Sequence, residues 1–543
     1  MRAASIGSVL RRIDGRGYKA YRDLLGAEER VRGLTLRVVR VQGDPYAPPS
    51  VVEVAAGLRL PQGLLRYPVA VADWLYRRLQ GRLSSTWRRM GEGRSGFMGL
   101  PKPSNAMLRR SGAVVSRGVV RFRVWVGLPS RRRRILGGAA EELLLELLPR
   151  AVSAVLRSAE EEASTSLRRH VDAWREQEYI RGRLPGMGLV AFVGDGSILP
   201  RRCGGCEEPA EDAVPFESPP SMRVELSLPT GRTVTGMGVP RGVTVVAGSA
   251  FHGKSTLVQA IAAGIYNHVP GDGRELVVSL RETMYLQSED GRFISCVDVS
   301  PMVHDLPRGV DTTCFSTSDA SGATSLAASI QEAVEAGVRV FILDEDTSAT
   351  NMLYLDERGK ALTRRHTITP VSELAASMRE KGVSLIIVST SSAPLLAAAD
   401  HVVVMEDYRP RDATREAKRL VEEHGVPVGR AEYRPPRPRR IERVPLLEKP
   451  RVRAGRLEDK RLPVPVSLEA DIQVYEEAQY HSLELVAREL RRVEGMPVAR
   501  AVEELEKMIL ERIEEARTPA LAEVRAADIA FMLNRLPGLR TRN

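Results

Sequence analysis

The stretch GSAFHGKS, residues 248–255, sets two glycines, a lysine and a hydroxyl at the spacing GxxxxGK[ST]. This combination makes a cradle for phosphate. Gly248 and Gly253 let backbone N–H groups wrap an anion, Lys254 reaches its outer oxygens, and Ser255 offers a ligand to Mg2+. Ser249, His252 and Thr256 belong to the same loop and helix start. A second stretch, VFILDE at 340–345, ends an apolar run in two acids. Asp344 suits Mg2+, and Glu345 suits a base that takes a proton from an attacking water. Helix capping is the alternative for these acids, but adjacent carboxylates after a buried strand are costly without a task. The two stretches together imply binding of ATP and Mg2+, and hydrolysis to ADP and phosphate with Lys254 and Glu345 as the catalytic groups.

Such groups meet only if strands deliver them to one place. The β-branched run 243–247 precedes the loop and a helical pattern at 257–263 follows it. Further buried strands are expected at 338–343 and 384–388. Their alternation with helices predicts a parallel α/β sheet, whose carboxyl edge binds ligands. ASGATS at 320–325 opens a helical stretch. Taken alone, Ser321 and Gly322 are as readily an N-cap. Ahead of the acids, they resemble the signature motif of ABC-class ATPases, where a Ser-Gly helix start faces the γ-phosphate. DTSATN at 346–351 is similar to the D-loop of that class, with Asn351 where an aspartate is usual. The order and spacing of the pieces favour the ABC reading.

The likeness extends along most of the chain. It includes YKAY (18–21), VQGDP (41–45), GLP (127–129), GDGSILP (194–200) and GMG (236–238). HGKST (252–256), YNHVPGDGRE (266–275), EDGR (289–292), FST (315–317) and LDEDTSATN (343–351) follow. On these residues the chain resembles the predicted ABC-class ATPases, a group outside the transporters. The resemblance implies an α/β P-loop NTPase of ABC type in the centre, an α+β N-terminal domain and a mostly helical C-terminal region. It also implies a two-fold homodimer and a link to nucleic acid, RNA above all. One P-loop and one signature motif per chain require a second copy to complete each site.

Some positions depart from that pattern. GEGRSG at 91–96 stands where the family tends to carry GSGKSG; lacking the four-residue spacer, it reads as a basic contact loop rather than a second nucleotide site. The switch histidine of transporter cassettes is absent, and Thr390 or Ser391 takes its place after the strand at 384–388. A hydroxyl senses a γ-phosphate but cannot become cationic, which points to slow turnover. For the Q-loop the candidate is 297–301, with Asp298 as a metal or water ligand; a strand-end turn is the equal alternative. The short interval from Lys254 to Ser321 leaves little room for the helical subdomain on which membrane subunits of transporters dock.

Composition sets the frame. The 543 residues carry 80 Lys and Arg against 69 Asp and Glu, a formal net charge of +11. The first 150 residues hold the whole positive excess, and the remainder is net acidic. That asymmetry points to an anionic partner, nucleic acid before membrane, although an Arg-rich thermophile surface gives the same count. Arg88, Arg89, Arg94 and the run Arg131, Arg132, Arg133 and Arg134 are the expected contacts, a solvated turn being the alternative for the run. No apolar run approaches the ~20 residues of a membrane span, and the N-terminus lacks the apolar core of a signal peptide. A cytoplasmic protein without a membrane subunit is therefore expected. Cys203 and Cys206 have half of a zinc site's spacing, with a disulfide or free thiols the stronger readings.

The expected organisation is a basic N-terminal domain (1–200), an ATPase domain (201–433), an exposed Pro/Arg-rich linker (434–466) and a helical C-terminal region (467–543). Residues 194–220 read as a hinge.

Overall fold

The computed structural model describes residues 4–356, 360, 365–390 and 392–543. The chain forms two compact units. The first comprises Met1–Trp174, Glu476–Ser482 and Met508–Glu523; the second comprises Arg175–Tyr475, Leu483–Lys507 and Val524–Asn543.

The first unit is α+β. Helix α1 (Ile6–Ile13) is N-capped by Ser5, whose hydroxyl accepts from the amide of Ser8. Strands β1 (Glu28–Val31), β2 (Leu34–Arg40) and β3 (Ser50–Gly57) precede helix α2 (Pro68–Thr86); β4 (Met98–Gly99), β5 (Ala113–Ser116) and β6 (Val119–Val126) precede helix α3 (Leu148–Glu161). The antiparallel sheet runs β1-β2-β3-β6-β4, with β5 also on β6. Alternation explains its buried face: Val120, Phe122, Val124 and Val126 of β6 are fully covered. Trp74, Leu75, Leu79 and Leu83 of α2 join them in one core.

The second unit is α/β and is built around two larger sheets. An antiparallel one has the order β8-β9-β7-β11, from β7 (Leu189–Gly194), β8 (Arg223–Ser227), β9 (Thr233–Pro240) and β11 (Val277–Ser279). The other contains β10 (Val243–Ala247), β12 (Thr283–Leu286), β15 (Val340–Asp344), β16 (Ser384–Val388), β17 (His401–Glu406) and β18 (Arg409–Asp412), in the order β12-β15-β16-β10-β17-β18. All its neighbours are parallel except β17 and β18. Helix α4 (Lys254–Ala263) is apolar on most sides, and its Leu257, Val258 and Ile261 share one core with residues of both sheets. Strands β13 (Ile294–Val297) and β14 (Phe315–Thr317) form a separate hairpin, and helix α5 (Gly322–Glu335) follows.

Three expectations need correction. Residues 175–200, expected in the N-terminal domain, belong to the second unit. The 434–466 segment is largely exposed, but buried residues anchor it, so it is not a free linker. Arg439 is 1% exposed, and Ile441 and Leu457 are fully buried. Arg439 donates from its backbone and Nε to the carboxylate of Glu335 (2.6 and 2.9 Å), from Nη1 to Ser295 O and from Nη2 to Asn534 Oδ1. Arg440–Arg443 pairs antiparallel with Arg540–Arg542. Composition misleads at Arg439, which distant partners neutralise and cover, while the other arginines of the segment are exposed. Residues 467–543, in turn, do not stay together but are divided between the two units.

Candidate functional site

The parallel sheet brings four loop starts to one edge. β10 is buried throughout and ends at Ala247. Gly248 follows with φ +131°, and a Cβ there would sit 2.5 Å from Met405 O, so only glycine fits. Gly253, at φ +91°, caps α4 in the left-handed region. The first-turn amides of α4, at Lys254, Ser255 and Thr256, thus open toward the loop. Lys254 is 8% exposed, and its Nζ donates to Ser249 O at 2.8 Å. His252 turns elsewhere, its Nδ1 accepting from the amide of Asp407 at 2.8 Å.

Register places the acids beside the loop. Asp344 pairs with Val388 of β16, and Val388 pairs with Val246 of β10. Asp344 is 1% exposed, and its Oδ1 accepts from the amide of Asp346 at 3.1 Å. No ion pair to it occurs among the described residues, and a buried carboxylate of this kind suits a cation ligand. Glu345 is held by three donors. Tyr354 OH reaches Oε1 at 2.7 Å, while the amide of Thr390 (2.8 Å) and the hydroxyl of Ser389 (3.2 Å) reach Oε2. Burial pushes this carboxyl up, but the Thr390 amide, the two hydroxyls and the charge of Lys254 together hold it below the usual range. Thr390 therefore meets Glu345 through its backbone. Ser391 lies outside the described residues.

Two contributors escaped the sequence reading. Leu286 of β12 pairs with Leu343 of β15, so Gln287 leaves the sheet next to Asp344. Ser288 donates its amide to Thr347 O (3.0 Å) and accepts the amide of Ala349 (2.6 Å), tying this loop to the one after the acids. An amide side chain directly after an apolar strand was the available signal. Tyr354 is the second. Removing its hydroxyl with Tyr354→Phe frees Oε1 and makes Glu345 a stronger base; steady-state assays are expected to show kcat rising about 3- to 10-fold with KM for ATP little changed.

Asp298 is not at this edge. It follows β13 in the separate hairpin, and its Oδ1 accepts from the amide (3.1 Å) and hydroxyl (2.6 Å) of Ser300. The carboxylate caps its own turn, as the alternative reading had it. Ser321 is exposed and caps α5, accepting from the Thr324 amide at 3.4 Å. Gly322 begins that helix, 3.2 Å from Asp290 Oδ1 if it carried a Cβ. Asn351 is exposed on the short helix Thr350–Leu353.

A cavity of about 540 Å³ adjoins the loop, lined by Gly253, Thr256, Met405 and Tyr408 together with Leu199, Pro200 and Phe216. The 194–220 stretch is thus a wall of this cavity rather than a bare hinge. Within it Cys203 and Cys206 form a disulfide, as do Cys296 and Cys314.

In the first unit all seven expected arginines are exposed. Arg88 pairs with Glu142, and Arg89 donates to Gly91 O at 3.1 Å. Arg132 and Arg133 form the tip of a hairpin, at φ 50° and 56°, between Arg131 and Arg134. Glu92 joins this hairpin to the 91–96 loop, accepting from the Arg133 amide (2.6 Å) and the Ser130 hydroxyl (3.2 Å). The fold therefore brings Arg94 and the arginine run, distant in sequence, onto joined loops. Arg133 lies 3.4 Å from Asp44, and Arg134 donates to Gly15 O.

Comparison with known proteins agrees with this geometry. A family model described as the ABC_ATPase P-loop domain matches residues 163–437. Another, the N-terminal part of ATPases of the ABC class, matches 3–159. An uncharacterised protein of Methanocaldococcus jannaschii is 30% identical over 246 residues, which are 43% of this chain and 54% of that protein. The chain thus spans about half the length of this curated relative. Among solved structures, cbiO1 from Clostridium perfringens, part of the ABC transporter complex cbiONQ, is 18% identical with a TM-score of 0.27, covering 44% of this chain and 93% of that one. An ATP-binding cassette of an ABC transporter in its ADP conformation is 9% identical with a TM-score of 0.24, covering 44% and 96%. No helix among the described residues is long and apolar enough to cross a membrane.

Proposed function

Since the chain belongs to the ABC-class ATPase family, we propose that it hydrolyses ATP at a site shared by two copies and couples that cycle to nucleic acid, RNA above all, held by its basic N-terminal part. The observation that carries the reading is the convergence of the P-loop, Asp344, Glu345 and Gln287 on one carboxyl edge of one parallel sheet. In this reading the loop amides and the start of α4 take the phosphates, and Lys254 exchanges Ser249 O for a phosphate oxygen. The cavity at Met405 and Tyr408 takes the base. Ser255 and the otherwise unpaired Asp344 would hold Mg2+, which supplies charge neutralisation at the β- and γ-phosphates. Glu345, oriented by its three donors, accepts the proton of the attacking water. Ser321 and Gly322 are exposed or half-exposed, which suits a role toward the γ-phosphate of a partner copy, and Asn351 would lie at the same interface. The protein would act in the cytoplasm without a membrane subunit.

ATPase rates measured alone and with RNA, single-stranded DNA and duplex DNA test the coupling; a rate indifferent to all three defeats it. Light scattering with and without ATP tests whether nucleotide drives two copies together; a two-copy species equal in both conditions leaves that closure unsupported. Lys254→Ala is expected to weaken ATP binding by at least about 30-fold, because it removes the partner of a desolvated anion; calorimetry checks this. The second reading, an ATP-switched regulatory or scaffold protein with slow turnover and no nucleic-acid substrate, is favoured by the hydroxyl residues after β16 and by the fully engaged Glu345. In that case ATP binding alone carries the signal.

A further inference from the structure

Helices α2 and α3 pack side by side in the first unit, and a groove of about 630 Å³ runs between them. They run antiparallel: Arg78 reaches Glu162 just beyond the end of α3, while Arg88, just beyond the end of α2, reaches Glu142 before α3 begins. Arginines stand on both walls. Arg78 and Arg82 come from α2 one turn apart, and Arg157 comes from α3. Gly81 and Ala154 leave the cleft open, and Ser85 offers a hydroxyl. Arg78 is engaged by Glu162 and Ser166, and Glu161 places one further acid at that end. Arg82 and Arg157 are exposed and have no ion-pair partner among the described residues. On α2 the lining ends at Ser85; two residues further on, Trp87, the C-cap of α2, is 53% exposed and is followed by the exposed Arg88 and Arg89.

An exposed tryptophan on the same helix as an arginine without an acidic partner is a pairing that suits single strands, because every base has a face to stack and every nucleotide a phosphate to contact. Guanidinium forks suit phosphate oxygens better than they suit an apolar or cationic partner. Stacking on a tryptophan needs an unpaired base, which a single strand offers and a duplex does not. We propose that this groove binds single-stranded nucleic acid, with Arg82 and Arg157 on phosphates and Trp87 stacked on a base at its end. The proposal rests on the reading that this unit binds nucleic acid, and it assigns the strand to a place other than the loops of Arg94 and Arg131–Arg134.

The test is a fluorescence-anisotropy titration of the full chain with labelled oligo-U and oligo-dT of equal length and a duplex, across a salt series. The double variant R82S/R157S is expected to bind about 10- to 100-fold more weakly at low salt, with the salt slope reduced by about two. Trp87→Ala is expected to weaken binding about 5- to 150-fold with the slope nearly unchanged. Thermal melting of each variant identifies any loss of folding, and Trp87→Ala decides the matter if the double variant does not fold. Groove variants that bind like wild type, while substitution of Arg131–Arg134 by serine abolishes binding, would overturn the groove and leave the broader reading standing. Preference for the duplex would also overturn it. A wild-type chain that binds none of the three probes would sink the broader reading itself. Equal affinity for oligo-U and oligo-dT, or a preference for oligo-U, both support the groove; the first places recognition in phosphate and base, the second adds the ribose.

Discussion

Glu345→Gln is expected to cut ATP turnover about 100- to 1,000-fold while leaving ATP binding nearly intact. The loss follows from the role of the carboxylate, since a positioned general base contributes about 10² to 10⁴ in rate. Binding survives because the change is isosteric and the surroundings adapt. The glutamine carbonyl can accept from the Thr390 amide and the Ser389 hydroxyl, as Oε2 does now. The new amide nitrogen can donate to the Tyr354 oxygen, whose hydroxyl proton rotates away. Lys254, Gly248 and Gly253 are untouched, so the phosphate cradle is retained. A further consequence separates the two functional readings. If hydrolysis releases a two-copy species, the variant should accumulate that species in ATP, visible as a doubled mass in light scattering. Single-turnover kinetics would show the chemical step slowed and nucleotide affinity constant. A variant that hydrolyses ATP at the wild-type rate would remove Glu345 from the role of base, and the reaction would then need another acceptor at the carboxyl edge.

What the sequence discloses of this site follows from locality. The glycines, Lys254 and Ser255 are contiguous, and their geometry depends only on a strand before and a helix after. Asp344 and Glu345 announce themselves by ending a buried apolar run. Gln287 does not, because its relevance lies in strand order: only the pairing of β12 with β15 sets it beside Asp344. The same holds for Tyr354, whose hydroxyl matters through a contact nine residues away. Asp298 was left open between a ligand and a strand-end turn, because spacing alone does not show that Ser300 engages its Oδ1 locally. Composition was the weakest guide. It marked 434–466 as a free linker because Pro and Arg favour solvent, yet Arg439 is covered by three partners, Glu335, Ser295 and Asn534, from distant parts of the unit. A charge is buried wherever the fold supplies opposite charge and acceptors, and sequence spacing does not show where that happens.

Arg110→Ala is expected to destabilise the first unit by about 3–5 kcal/mol, because it strips the cation from a buried cluster. Arg110 is 3% exposed and pairs with both Asp73 and Glu476. Asp73 is also reached by Arg77 (2.7 Å) and His170 (2.9 Å), and Glu476 accepts from the hydroxyl and amide of Ser104. Burial pushes both carboxyls up, but Arg77 and Arg110 hold Asp73, and Arg110 holds Glu476, below their usual range. The linkage sign follows. A depressed folded pKa contributes stability that is fully present above the unfolded value, near 4, and is lost as pH falls through the folded value. The difference between wild type and Arg110→Ala should therefore be largest at neutral pH, where two buried carboxylates lack their partner, and should narrow below about pH 4. At roughly 2–4 °C per kcal/mol for a unit of this size, the first unit should melt about 10 °C lower at pH 7. Arg110→Lys keeps the charge but cannot serve Asp73 and Glu476 through a rigid fork, so an intermediate loss is expected. Scanning calorimetry from pH 3 to 8 measures all of this. A gap that widened on acidification would mean that the cluster is not held by these ion pairs, and the stability of the unit would then have to come from its apolar core alone.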